Sequence, residues 1–300
     1  MTIEDEVISR RFAQQVHCIH LKELLRGYIV DQEKLLGLLN ANCDCRRYQR
    51  AVLKLFIQLI EDEKLELAEG VTEQYVELIC TSSEEEEGKN VVDYKFSDDV
   101  KVSLYEDPTV IAVEGSTGHR TWEAAMALAE HVYNNRDALR GVAQFVELGA
   151  GTGLVGMLAH RLFPDSRVAA TDGDAKVVSD LAQNVQLNQS SPNIATQILR
   201  WGEDQPISEQ SGNQVIFCAD VTYDFDLIPL LVQCLHDFCL VSKYVLLSAT
   251  LRSQQTFDHF LNLCSNLNFS MSHIHTFNHH NSSFFIPPHS PDILIYKLSL

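Results

Sequence analysis

The sequence predicts an α/β protein, a doubly wound and mostly parallel sheet with a helical appendage at its N-terminus. Three observations carry this expectation. From Ala143 onward, apolar strand-like runs alternate with helix-like runs, the pattern of a parallel sheet covered on both faces. One strand and helix of that series are joined by the glycine-rich run VELGAGTGLVG, residues 146–156. The first 80 residues instead carry their apolar side chains at helical spacing.

Taken in chain order, the segment from Val7 to Leu39 predicts two or three short helices broken near Gly27 and Gly37. In RRYQRAVLKLFIQLIED, Tyr48, Val52, Phe56 and Ile60 recur every four residues, with Leu53 and Ile57 beside them and Arg46, Arg50 and Lys54 on other faces. That is one amphipathic helix. The polar acidic run TSSEEEEGKN, residues 81–90, reads as a loop without chemistry. YKFSDDVKVSLYE and TVIAVEG then predict short strands, forming a hairpin.

The sheet proper follows. AQFVEL, RVAATD, TQILRW, VIFCAD and YVLLSAT are strands, with GLVGMLAHRLF, stopped by Pro164, and DAKVVSDLAQNVQLN as the first two intervening helices. DLIPLLVQCLHDFCLV and QQTFDHFLNLCSNL are the next helices, and SHIHTFN and PDILIYKLSL close the chain as an antiparallel edge. The expected division is residues 1–90, helical with an acidic loop, and residues 91–300, the α/β domain.

Bulk properties narrow the function classes. A formal net charge of −18 argues against binding nucleic acid by phosphate neutralisation. No uncharged apolar run reaches the roughly 18 residues of a membrane helix, and MTIEDEVISRR begins acidic, unlike a secretory signal. The eight cysteines are scattered, several in apolar runs, as expected of buried thiols in a reducing, cytoplasmic setting. Cys43-x-Cys45 has neither zinc-module spacing nor a partner pair, so no metal is expected. His273 and His275 alternate as on one strand face, and His279, His280 and His289 follow; substrate contact suits this group better than ligation. Cys218 reads as a small buried side chain.

The glycine run is the strongest local signal. Gly151-x-Gly153-x-x-Gly156 fits a nucleotide-binding turn, and Asp172 ends the next strand where a carboxylate can accept from both ribose hydroxyls. Two ligand classes compete, a dinucleotide and S-adenosylmethionine. Glu147, just before the loop, would repel a pyrophosphate and welcome the ammonium and sulfonium of S-adenosylmethionine. The region is also poor in basic residues, which suits a ligand without phosphate. S-adenosylmethionine is therefore the expected cofactor.

GHRTWEAAMALAEH, then ELGAGTG, Asp172, LRW and ADVTY in that order resemble the seven-strand lysine methyltransferases of non-histone proteins, over about residues 91–300. The resemblance implies a seven-strand Rossmann-like sheet. It implies that Trp122 lies beside the cofactor, that Gly149, Ala150 and Gly151 form the loop under its methionine portion, and that Asp172 holds the ribose. Trp201 would lie on the adenine and Ala219 would present backbone to the cofactor. Asp220 and Tyr223 match the D-x-x-Y motif beside the methyl group, and would act on the acceptor amine. Both tryptophans of the chain fall at these positions.

The implied activity is protein-lysine N-methylation by a monomer, with a protein substrate and neither nucleic acid nor membrane as partner. SRRF and RRYQRAVLKLFIQLIE look like segments of the branch that modifies translation elongation factor 2, which is the expected acceptor. Another protein lysine, a histidine, or a cofactor-binding interaction module without activity remain as alternatives; a dehydrogenase fits Glu147 and ADVTY poorly.

Overall fold

The computed structural model describes residues 2–80, 90–106, 117–188, 193–204, 212–284 and 286–300. It divides into two compact units, residues 1–95 with 106–109, and residues 96–105 with 110–300. The acidic run expected to be a loop, all but Asn90, and the strand expected in TVIAVEG lie outside the described residues.

The first unit holds helices α1 (Ile3–Ala13), α2 (Lys22–Arg26), α3 (Gln32–Asn42), α4 (Arg46–Asp62) and α5 (Glu69–Cys80). Helix α1 starts at a capping box, in which the Thr2 hydroxyl accepts from the Asp5 amide and the Asp5 carboxylate accepts from the Thr2 amide. The same carboxylate accepts from the Tyr28 hydroxyl at 2.9 Å and meets the Lys34 ammonium at 2.7 Å. Those partners hold its pKa well below the usual carboxylate range. Helix α4 buries Tyr48, Val52, Leu53, Phe56 and Ile60, the face that its periodicity picks out. Gly27 does end a helix, but Gly37 does not, for α3 runs straight through it. A lone mid-helix glycine costs about 1 kcal/mol relative to alanine, and burial of Leu35, Leu36 and Leu39 around it outweighs that.

Strands β1 (Asn90–Lys95) and β2 (Lys101–Glu106) lie where the chain passes from one unit to the other.

The second unit is built on a seven-stranded sheet. Its strands are β3 (Gln144–Leu148), β4 (Arg167–Asp172), β5 (Ile194–Ile198), β6 (Gln214–Ala219), β7 (Tyr244–Thr250), β8 (Ser270–Phe277) and β9 (Ile293–Ser299), in the order β5-β4-β3-β6-β7-β9-β8. The first five are parallel; β9 is antiparallel to both β7 and β8. Helices α6 (Glu123–Asn134), α7 (Leu154–Leu162), α8 (Ala175–Leu187), α9 (Ile228–Cys239) and α10 (Gln254–Asn266) connect and cover them. Val146, Leu148, Ile216, Cys218, Val245 and Leu247 form one core layer with α9 and α10, including Leu231, Leu235, Phe238 and Phe260. On the other face Ala124 and Ala127 of α6 meet Ile293 and Ile295 of β9, and α7 packs on α6 and β3.

From β3 the chain winds outward to β5, then returns to β6 on the other side of β3. The carboxyl ends of β3 and β6 therefore flank the point where the winding reverses, where open α/β sheets bind their ligands.

One expectation at the sheet edge fails. A bulge between His273 and His275 breaks the alternation. The His273 ring lies 5.2 Å from that of Tyr296, which itself meets Phe257 of α10. The His275 ring instead lies 6.4 Å from that of His131 on α6. The two histidines thus face opposite sides of the sheet. All eight cysteines are free thiols, five of them buried, Cys218 among them. Among the described residues no cluster of three His, Cys, Asp or Glu could hold a metal ion, and no helix is long and apolar enough to cross a membrane.

Candidate functional site

A cavity of about 730 Å³ opens over the carboxyl ends of β3, β4 and β6. Trp122, Gly149, Ala150, Gly151, Asp172, Trp201, Ala219, Asp220 and Tyr223 all line it. They come from five separate stretches of the chain, and the winding reversal is what gathers them.

The loop after β3 must bend back at once. Gly149 has φ +65°, in the left-handed region, and a Cβ there would stand 2.7 Å from Val221 Cγ1 and 3.6 Å from the Trp201 ring. Only glycine lets the loop lie this close to the exits of β5 and β6. Asp172 ties the loop from the neighbouring strand. Its Oδ2 accepts from the Gly151 amide at 3.1 Å and its Oδ1 from the Asp174 amide at 3.1 Å. Burial, the largest influence, raises the Asp172 pKa, while these amide bonds oppose it. Each oxygen keeps accepting capacity on a group that lines the cavity.

Two expected ligand residues are not in the lining. Glu147 is buried, and because side chains alternate along β3 it points away from Val146 and Leu148, towards α7. There its Oε2 accepts from the Gly156 amide at 2.7 Å. Burial pushes its pKa up to about 8, against the pull of the Gly156 and Val155 amides. Burial thus favours its neutral form. Gly153 is the N-cap of α7, at φ +87°, and a Cβ there would lie 2.3 Å from Leu181 Cδ1. It serves helix packing.

The indole of Trp122 sits at the N-cap of α6 and donates to the Thr117 carbonyl at 2.9 Å. The Arg120 guanidinium lies 4.4 Å from its ring and that of Arg252 lies 5.3 Å away. Both are within the range of a cation–π contact.

Arg252 is the site residue that sequence reasoning misses. It follows β7, and its guanidinium donates to both carboxylate oxygens of Asp220, Nη1 to Oδ1 at 2.9 Å and Nη2 to Oδ2 at 2.7 Å. The Thr250 amide adds a longer contact to Oδ1 at 3.3 Å, and its hydroxyl one to Oδ2 at 3.4 Å. Asp220 itself has φ +55°, a strained backbone for a residue with a side chain. No spacing in the sequence ties residue 252 to residue 220; the parallel pairing of β6 and β7 does.

Tyr223 stands three residues on, 58% exposed at the cavity's mouth. Arg120, Arg200 and Arg252 all line the cavity, so the basic residues scarce around the glycine loop are brought in from elsewhere. Two of them are matched, Arg120 by Glu123 at 3.2 Å and Arg252 by Asp220. The lining also holds Asp172, Asp174 and Glu203, which suits a cationic ligand better than a diphosphate.

The S-adenosylmethionine expectation fits this lining. Asp172 offers carboxylate oxygens with accepting capacity left, Trp201 an aromatic face, and the Gly149–Gly151 backbone a close approach. The carboxylates in the lining supply negative potential.

A family profile described as lysine methyltransferase matches residues 107–266. Protein-lysine N-methyltransferase EFM3 of Saccharomyces cerevisiae is 32% identical over 226 residues, covering 69% of this chain and 66% of that protein. The EFM3 of Chaetomium thermophilum is 32% identical over 183 residues, covering 57% and 54%. EEF1A lysine methyltransferase 3 of Xenopus tropicalis is 35% identical over 142 residues, covering 46% and 60%. The chain thus matches between 54% and 66% of the length of these relatives.

Proposed function

The chain belongs to the lysine methyltransferase family, and from that premise we propose that it is an S-adenosylmethionine-dependent protein-lysine N-methyltransferase whose acceptor is a lysine of translation elongation factor 2. One observation carries the reading of the site. Asp220 and Tyr223 line the same cavity as the Gly149–Gly151 loop, Asp172 and Trp201. A hydrogen-bond acceptor for an amine thus adjoins a nucleoside-sized cradle.

When bound, the cofactor supplies a methyl group already activated as a sulfonium. The Gly149–Gly151 loop, Asp172 and Trp201 would hold it, so that the amine would need no further activation of the donor. The protein's part is chiefly alignment. Free lysine has a pKa near 10.4, so the chain must admit the side chain, let a proton go to water and aim the lone pair. Asp220 is the group we assign to orienting the amine. Tyr223 offers a hydroxyl and a ring face, which holds a cation at each degree of methylation. Trp122, Ala150 and Ala219 complete the wall along the cofactor.

The choice of acceptor rests on the resemblance of SRRF and RRYQRAVLKLFIQLIE to the elongation factor 2 branch. The names of the three relatives given above do not mention that factor, and the Xenopus tropicalis protein is named for EEF1A. EEF1A is accordingly the second reading. The helical first unit is proposed to recognise the folded acceptor, since a lysine side chain carries little identity. A chain beginning at residue 81 that binds cofactor and keeps unchanged substrate kinetics would contradict that role.

The test is transfer from tritiated S-adenosylmethionine into a lysate of cells lacking the enzyme. A labelled band that is elongation factor 2 supports the full proposal. A labelled band that is EEF1A or another protein moves the acceptor and keeps the chemistry; no labelled protein at all overturns it.

A further inference from the structure

The Asp220 carboxylate has no idle lone pair. A carboxylate offers about four acceptor sites, and here each oxygen meets one Arg252 nitrogen and one Thr250 donor. The two guanidinium contacts, at 2.9 and 2.7 Å, are short and parallel, the bidentate arrangement that fixes a carboxylate in its plane. The Thr250 contacts, at 3.3 and 3.4 Å, are long. An incoming amine can therefore replace a Thr250 contact cheaply but not the arginine. It meets an oriented oxygen belonging to an ion pair, not a bare anion.

We propose, building on the methyl-transfer reading above, that Arg252 is a positioning residue. It fixes the Asp220 carboxylate for the acceptor nitrogen and cancels its charge, so that the site takes the amine in its neutral, nucleophilic form.

The alternative arrangement shows why this matters. A bare carboxylate a few ångströms from an ammonium raises that ammonium's pKa. Such a site would bind protonated lysine well and methylate it slowly, because the lone pair is occupied. Pairing with Arg252 removes that bias while keeping a hydrogen-bond acceptor in place.

Arg252 is well held for this task. Its amide donates to the Thr250 carbonyl at 2.8 Å in a tight turn after β7, and the Leu251 amide donates to the Asp292 carbonyl at 3.0 Å. The Asp220 backbone is fixed from the same strand, its amide donating to the Ser248 carbonyl at 2.9 Å. The other charged and titratable groups about the pair are Glu123 and Arg120 from the α6 end, Arg200 across the cavity, and Tyr223 beyond the motif. Glu123 and Arg120 are paired with each other, so Arg252 is the cation matched to Asp220.

The test compares Arg252→Gln and Arg252→Lys with the wild type, using as acceptor purified elongation factor 2, or the protein that the wild type labels in lysate. Initial rates are taken across neutral to alkaline pH, and S-adenosylmethionine affinity is measured by calorimetry for each variant. Arg252→Gln is expected to lower kcat at neutral pH about ten-fold and to lower KM. The rising limb of its kcat profile, set by loss of the ammonium proton, should move upward by about one pH unit, as a bare carboxylate stabilises the ammonium. Arg252→Lys should return the limb while recovering kcat only in part, because an ammonium lacks the bidentate fork. A uniform loss of kcat at every pH, with KM and the limb unmoved, overturns the proposal, as does wild-type behaviour in Arg252→Gln. Should Arg252→Gln fail to bind cofactor, Arg252→Lys decides: a limb displaced as far as a missing charge would displace it contradicts the charge-cancelling role. Absence of transfer by the wild type to any protein overturns the reading beneath this one and this one with it.

Discussion

The Glu147 Oε2 atom accepts the Gly156 amide hydrogen at 2.7 Å, and a Cβ on residue 156 would stand 2.6 Å from that same oxygen. The last glycine of the G-x-G-x-x-G pattern is therefore there to let a buried carboxyl reach the first turn of α7. Gly156→Ala should force the two apart in a region with no slack, since Val168 and Ala170 close the other side. Overpacking of this kind costs about 1–3 kcal/mol. Thermal denaturation is expected to show a clear fall in Tm. An unchanged Tm would mean that the strand and helix can separate freely.

Glu147 should also make stability depend on pH in the alkaline direction. Its pKa is raised by burial from an ordinary carboxylate value of 4.5 to about 8 in the folded protein. Between these values the folded state holds more protons than the unfolded one, so stability falls as pH rises through that window. Its contribution is fully present below about 4.5 and lost once pH passes about 8. Melting curves of the wild type should therefore decline from mildly acidic pH to pH 8 and above. Glu147→Gln, which cannot ionise, should flatten that decline. Parallel curves for the two proteins would contradict it.

Trp201 lines the cavity next to the loop that the resemblance puts under the cofactor. If it stacks on the adenine, Trp201→Ala should weaken S-adenosylmethionine binding about ten-fold, the scale of one aromatic contact, and Trp201→Phe should weaken it less. Calorimetry without any acceptor reads this directly. Equal affinities would remove Trp201 from the adenine site.

Asp172 holds the Gly151 amide, and its remaining accepting capacity is what we propose receives the ribose. Asp172→Ala should lower cofactor affinity by about ten- to a hundred-fold, the range for bonds to a charged acceptor. 5′-Methylthioadenosine, which keeps the ribose but lacks the amino-acid portion, should suffer the same loss. An undiminished affinity for that compound would place the ribose elsewhere.

Much of this site is legible in the sequence because it follows from strand ends. Asp172, Ala219 and Asp220 sit at or just past the carboxyl ends of β4 and β6, and alternation of strand and helix predicts those ends. Gly149 is legible as a sharp turn. Glu147 is legible as an acid but not as to where it points, for that depends on which face of β3 meets α7. Arg252 carries no local signal, since its partner is 32 residues away and reached only through strand pairing. The histidine alternation misleads for a related reason: a single bulge reverses which face a residue occupies.

The central claim is that Asp220 acts on the acceptor rather than on the cofactor. Tritium transfer into the labelled protein, measured beside S-adenosylmethionine affinity, tests it for Asp220→Asn. The account predicts a kcat lowered by about a hundred-fold or more with cofactor affinity within a few-fold of wild type. Undiminished transfer by the variant, or loss of transfer explained wholly by lost cofactor binding, would contradict it.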